Sequence, residues 1–117
     1  SRLSEFKVKF EELKKGQVIV YDAYINSFDS YILKVKSKGK GHLTHHLDQV
    51  KTKIPYEISI DNQKVLFDEF GQSSQAVEKS GKAEKSHHKI KLILGETRHA
   101  FKGEYSDRLS IQASPKN

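Results

Sequence analysis

The sequence predicts an all-β domain, a sandwich of about seven or eight short antiparallel strands, with a small closed barrel as the alternative. Three observations carry this reading. Apolar and polar residues alternate with period two in segment after segment, turn-forming residues separate those segments, and no apolar stripe of period 3.6 runs along the chain. At 117 residues there is little room for a second domain, so residues 1–117 are expected to form one unit.

The elements follow in order. In Phe6-Lys7-Val8-Lys9-Phe10 apolar side chains alternate with lysines, the pattern of a half-buried first strand, and a polar run then ends at Gly16. Residues 17–26 are β-branched and aromatic, with Val18 and Val20 on one face and Ile19, Tyr21, Ala23 and Ile25 on the other. A long strand covered on both sides for part of its length is expected there. Tyr31, Leu33 and Val35 alternate with Ile32, Lys34 and Lys36, giving a third strand with a basic outer face. Lys38-Gly39-Lys40-Gly41 reads as a turn and His42-Leu43-Thr44 as a short strand. Tyr56, Ile58 and Ile60 alternate with Glu57, Ser59 and Asp61; Asp61-Asn62-Gln63-Lys64 then turns the chain and Val65-Leu66-Phe67 returns it. Residues 68–88 are polar and rich in Gly and Ser, so a mobile loop is expected, with room for one helical turn at 72–80. Order resumes at residues 89–94, and Tyr105, Asp107, Leu109, Ile111 and Ala113 form the inward side of a last strand that stops near Pro115.

Composition bounds what such a domain can do. Leu, Ile, Val and Phe make up about a quarter of the chain, above the roughly one-fifth at which a highly charged chain stays unfolded. A hydrophobic fraction of 35% and a mean hydropathy of −0.70 require economical use of apolar residues, as in two layers whose outer faces are wet. The absence of Cys excludes a disulfide scaffold, a thiolate zinc site and thiol catalysis. No apolar run approaches the roughly 20 residues of a membrane-spanning helix. The chain starts at Ser1 without Met, so a mature or trimmed fragment of a longer protein is expected. Lys and Arg number 21 against 15 Asp and Glu, a net charge of +6, which permits contact with polyanions.

Three stretches in order, Tyr31 to Leu43 (a strand, then Ser-x-x-x-Gly-x-Leu), Ile54 to Asp61 (the "IPY" strand) and Gly103 to Ala113 (Gly-x-Tyr-x-Asp-x-Leu-x-Ile), carry a resemblance. They resemble the immunoglobulin-like domains of bacterial surface pili, the group of spore coat protein U-like and chaperone-usher pilus subunits. The resemblance implies an immunoglobulin-like antiparallel sandwich that lacks a strand and is completed by a neighbour's extended segment. Its partners would be a neighbouring fibre subunit or an assembly chaperone, with a host surface beyond, and its location extracellular or periplasmic. The strand-addition groove would lie between first and last strands, near Phe6, Val8, Phe10, Leu109 and Ile111. Gly103 would admit the chain to the last strand, and Tyr105 would form a corner, its ring buried and its hydroxyl on a backbone partner. Such a domain is non-enzymatic, with no cofactor. The chain departs from many chaperone-usher pilins in having no Cys, and from donor subunits in having no extension before the Phe6 strand.

Other residues offer an alternative function, a secreted or periplasmic binding domain for a polyanion or a metal. His42, His46, His87 and His88 are the candidate metal ligands: His42-Leu-Thr-His45-His46 has ligand-like spacing but lacks the Glu of a helical zinc-protease motif, and approach of the two loops would be needed. Solvated loop histidines are the plainer reading. Lys34, Lys36, Lys38 and Lys40 are the candidate polyanion face, against a merely solvated basic surface; neither interleaved aromatics nor a motif for specific nucleic-acid binding accompanies them. Asp107 is an inward acid on an otherwise apolar strand face, expected to be satisfied by backbone, by a bulge, or by a base such as Arg108 or Lys102. No nucleophile elbow, phosphate-cradling loop or carboxylate pair in an apolar setting is present.

Overall fold

Where polar and apolar residues alternate, the backbone is extended and the apolar side chains share one face. The computed structural model describes residues 2–26, 30–73, 77–79 and 85–115. Its strands are β1 Arg2–Lys9, β2 Val18–Asn26, β3 Tyr31–Ser37, β4 His42–His45, β5 Lys53–Ile60, β6 Gln63–Val65, β7 Val77–Lys79, β8 Lys85–Leu94 and β9 Tyr105–Pro115, with no helix among the described residues. Every pairing is antiparallel. The strands form one hydrogen-bonded sheet in the order β2-β8-β5-β4-β9-β3-β7, with β1 added on β9 and β6 on β5.

The sheet curls so that its inner face closes on itself: Tyr31 of β3 reaches His88 of β8, and Tyr56 of β5 reaches Asp107 of β9. β4, only four residues long, sits at the bend between β5 and β9. Leu33, Leu43, Ile58, Ile60, Ile90, Leu92 and Leu109 fill the enclosed core at 2% exposure or less. Each such side chain contributes roughly 1.5–3 kcal/mol by burial.

β3 and β4 run the same way along one edge of β9. Ser37 stands opposite Leu109 and Thr44 opposite Ser106, so Lys38–Leu43 face only Arg108 and Asp107. The excess chain is thrown out as a tight turn, with Lys40 and Gly41 both left-handed at φ 55° and 85°. The hairpin between β5 and β6 is tighter than a four-residue turn. Asp61 and Asn62 alone make it, both left-handed, the two-residue geometry that matches strand twist, and Gln63 is already opposite Ile60.

Two expectations are revised. β2 is not covered on both faces: Val18, Val20 and Tyr24 are exposed on its outer side. The segment 68–88 is ordered in its described parts. Asp68 accepts the amides of Phe70 and Gln72, Gln72 and Ser73 form bridges to Lys36 and Phe67, residues 77–79 pair with β3, and residues 85–88 extend β8 against β2. The helical turn at 72–80 is therefore replaced by a strand at 77–79; residues 74–76 and 80–84 lie outside the described residues. Propensity in that polar stretch is overridden by open backbone edges on β3 and β2, which the added residues satisfy.

Candidate functional site

The looped-out turn between β3 and β4 leaves Asp107 paired on its β1 side only, opposite Val8, and its carboxylate organises the turn on the other side. Oδ1 accepts the Gly39 amide at 2.6 Å; Oδ2 accepts the Ser37 hydroxyl at 2.5 Å and a short bond from the Tyr56 hydroxyl. Ser37 Oγ in turn accepts the Gly41 amide at 2.8 Å. Burial pushes the Tyr56 phenol far above its ordinary pKa, and the adjacent carboxylate adds to the rise. Asp107 is thus satisfied by backbone and hydroxyls, and not by Arg108 or Lys102. Among the described residues no buried side-chain polar atom lacks a partner.

A second node lies a few residues away at the start of β9. The Tyr105 ring is buried and its hydroxyl accepts the Phe101 amide at 2.9 Å. Gly103 has φ 133° and lies against the imidazole of His45, where a Cβ would stand 2.2 Å from Nε2. His45 is buried, accepts the Leu47 amide on Nδ1 and donates from Nε2 to the Lys102 carbonyl at 2.7 Å, while His46 stacks on it. His45 was not singled out from sequence; its position beside Gly103 in three dimensions was the missing signal. The three stretches that carry the sequence resemblance, through Ser37, Gly39 and Gly41, Tyr56, and Gly103, Tyr105 and Asp107, therefore meet around one end of β9.

No family model, curated protein or solved structure matches this chain.

The candidate metal ligands are not brought together. His42 Nδ1 donates to the Lys40 carbonyl, and His46 Nδ1 accepts the Glu104 amide. His87 donates to Asp22 at 2.6 Å. His88, 1% exposed, donates from Nδ1 to Asp61 and accepts the Tyr31 hydroxyl on Nε2, each at 2.6 Å. Among the described residues no group of three or more His, Asp or Glu could hold a metal ion.

The Asp61–His88–Tyr31 chain ties the β5–β6 turn to β8 and β3. Burial works to raise the Asp61 pKa, but the Lys89 amide and His88 outweigh it and hold the carboxyl below its ordinary 3.8. A carboxyl depressed on folding adds stability above its unfolded pKa and loses it as pH falls through the folded value. Asp61→Asn should therefore be clearly less stable than the parent at pH 6, and the gap should narrow by pH 3, as read from urea midpoints. An equal gap at both pH values would show that charge on Asp61 plays no part.

The strand-addition residues divide. β1 pairs directly with β9 along its length, Phe6 opposite Leu109 and Val8 opposite Asp107, so no groove separates the first and last strands. Leu109, Ile111, Val8 and Phe10 are buried core. Phe6 is only partly buried and meets Tyr21 of β2, ring centroids 4.7 Å apart. Burial raises the Tyr21 pKa, and the Lys9 backbone across the same gap partly offsets the rise. Among the described residues β1 has only β9 as neighbour and β2 only β8, so two strand edges face this seam.

Of the candidate lysines, Lys34, Lys36 and Lys38 lie together on the outer face of the β1-β9-β3 layer. They line a shallow depression of about 480 Å³ with Glu5, Gln72, Arg108, Ser110 and Gln112. Lys40 does not join them; left-handed at the turn, its side chain runs beside Gly71.

Proposed function

We infer that this is a non-enzymatic structural or adhesive domain of a bacterial surface fibre that associates by strand addition, and that its seam between β1 and β2 is where the added strand enters. The observation that carries the reading is that seam. Ile19, Tyr21 and Ala23 of β2 and Phe6 of β1 point toward the core yet are only partly buried, in contrast to the fully enclosed side chains of β3, β5 and β9. An extended segment with alternating apolar residues would supply both the missing cover and partners for the unpaired backbone. β2 also lacks the usual edge protection: it has no Lys or Pro, and Val18, Val20 and Tyr24 face outward. β1, by contrast, carries Lys7 and Lys9.

The finer architecture belongs to the same reading. β1-β9-β3-β7 and β2-β8-β5-β6 would be the two layers of an immunoglobulin-like sandwich, with β4 passing between them and the open side at the seam. A fibre subunit of this kind would be extracellular or periplasmic.

The test is hydrogen exchange with and without a ten-residue alternating Val-Thr peptide. Amides of residues 18–26 should gain at least about tenfold protection while those of β5 do not change. A double change, Val20→Lys with Tyr24→Lys, should abolish the gain without loss of the fold. No protection at millimolar peptide would overturn the proposal.

A further inference from the structure

Across three neighbouring strands, cations stand side by side. Lys7 of β1 is directly opposite Arg108 of β9, and the Lys38 amide, following β3, bonds the Arg108 carbonyl on the other side at 3.0 Å. Like charges directly opposite one another cost stability, and strands are only about 4.8 Å apart. Among the described residues no carboxylate lies within ion-pair distance of Lys7, Lys34, Lys36, Lys38 or Arg108. The same row lines a second depression, of about 330 Å³, whose floor is Gly39, Thr44, Ser106 and Asp107. It adjoins the first, the two sharing Lys38 and Arg108, and together they form a trough with those two cations between its halves. The carboxylates along it are Glu5, which accepts from Ser110, and Asp107, which the buried hydroxyls and the Gly39 amide already occupy.

We propose that this trough binds an extended sulfated polysaccharide. The cations alternate along β3 at about 7 Å and flank a floor of small hydroxyls and amides, from Ser106, Ser110, Gln112 and Gln72, that suits sugar hydroxyls between anionic groups. No aromatic side chain lines the trough, so nucleic-acid bases would have nothing to stack on. No apolar side chain projects from it to enter a bilayer, since Val35 is 2% exposed. The anion would relieve the repulsion along the Lys7–Arg108–Lys38 row. This surface shares only β1 with the β1–β2 seam, lying on its outward face, and does not depend on strand addition.

The probe is a heparin decasaccharide at 150 mM NaCl, measured by calorimetry, with its desulfated form, a dT decamer and phosphatidylglycerol vesicles as comparisons. The sulfated sugar should bind and the desulfated one should not. Lys7→Gln, Lys38→Gln and Arg108→Gln together should weaken binding at least about tenfold while leaving the melting temperature unchanged or raised, since repulsion is removed. Lys64→Gln, Lys89→Gln and Lys91→Gln together remove equal charge elsewhere and should change binding less than about twofold. Equal losses in the two triple variants, absence of heparin binding, or tighter binding of the dT decamer or the vesicles would overturn the proposal.

Discussion

Asp107→Ala is expected to lower stability by about 3–5 kcal/mol, enough to bring the melting temperature down by roughly 10–25 °C. The substitution removes the acceptor for three donors at once: the Gly39 amide and the Ser37 and Tyr56 hydroxyls. The two hydroxyls are buried and the Gly39 amide is half-buried, and leaving buried donors unpaired costs more than the bonds themselves return. Asp107→Asn keeps an acceptor for Gly39 and exchanges roles with two hydroxyls that can rotate, so its loss should be smaller, about 1–3 kcal/mol. Urea and thermal melts of the two variants make the comparison. An alanine variant within about 1 kcal/mol of the parent would mean the carboxylate does not hold the turn.

Gly39→Ala is expected to cost about 3 kcal/mol for a different reason. A Cβ there would lie 2.1 Å from the His42 carbonyl oxygen and 2.9 Å from Asp107 Oδ1. The closer obstacle is backbone, which cannot swing aside, and the turn would have to open and withdraw its amide from Asp107. Gly16→Ala is the instructive control: φ is 87° but nothing lies within 4 Å, so only backbone strain of about 1 kcal/mol is expected. Because Gly39 and Asp107 act on one node, the double variant should lose at least about 1 kcal/mol less than the sum of the singles. Strict additivity in equilibrium melts would show that the turn and the carboxylate are energetically independent.

Period-two alternation made most of the strands legible. β9 buries Tyr105, Asp107, Leu109, Ile111 and Ala113 in strict alternation, as its sequence implies. Asp107 is a polar residue in an apolar register, and that irregularity in the sequence marks the buried node. Which partners it takes depends on the chain excess at residues 38–43, a property of register between β3, β4 and β9 that no local pattern encodes. The same holds for the seam. Phe6 could be read as inward, but that its ring meets Tyr21 of β2, in addition to lying opposite Leu109 of the last strand, is decided by how the sheet curls. At residues 77–79 and 85–88 local composition gives little sign of strand, because pairing there is supplied by neighbours with vacant edges. The lysines of β3 were visible as a basic face, whereas the row they complete with Lys7 and Arg108 needs three strands laid side by side.

The pairing of β1 with β9 joins Arg2 to Ala113 and Lys9 to Ser106. β3 and β4 also take β9 as the neighbour on one of their edges. β1, and the β9-facing edges of β3 and β4, therefore cannot be secured until residues 105–115 are available. Closing loops this long before any contact rewards them is slow, and folding on the order of milliseconds to seconds is expected. A nascent chain emerging from its N-terminal end would stay open, with β1 unattached, until residues 105–115 had emerged.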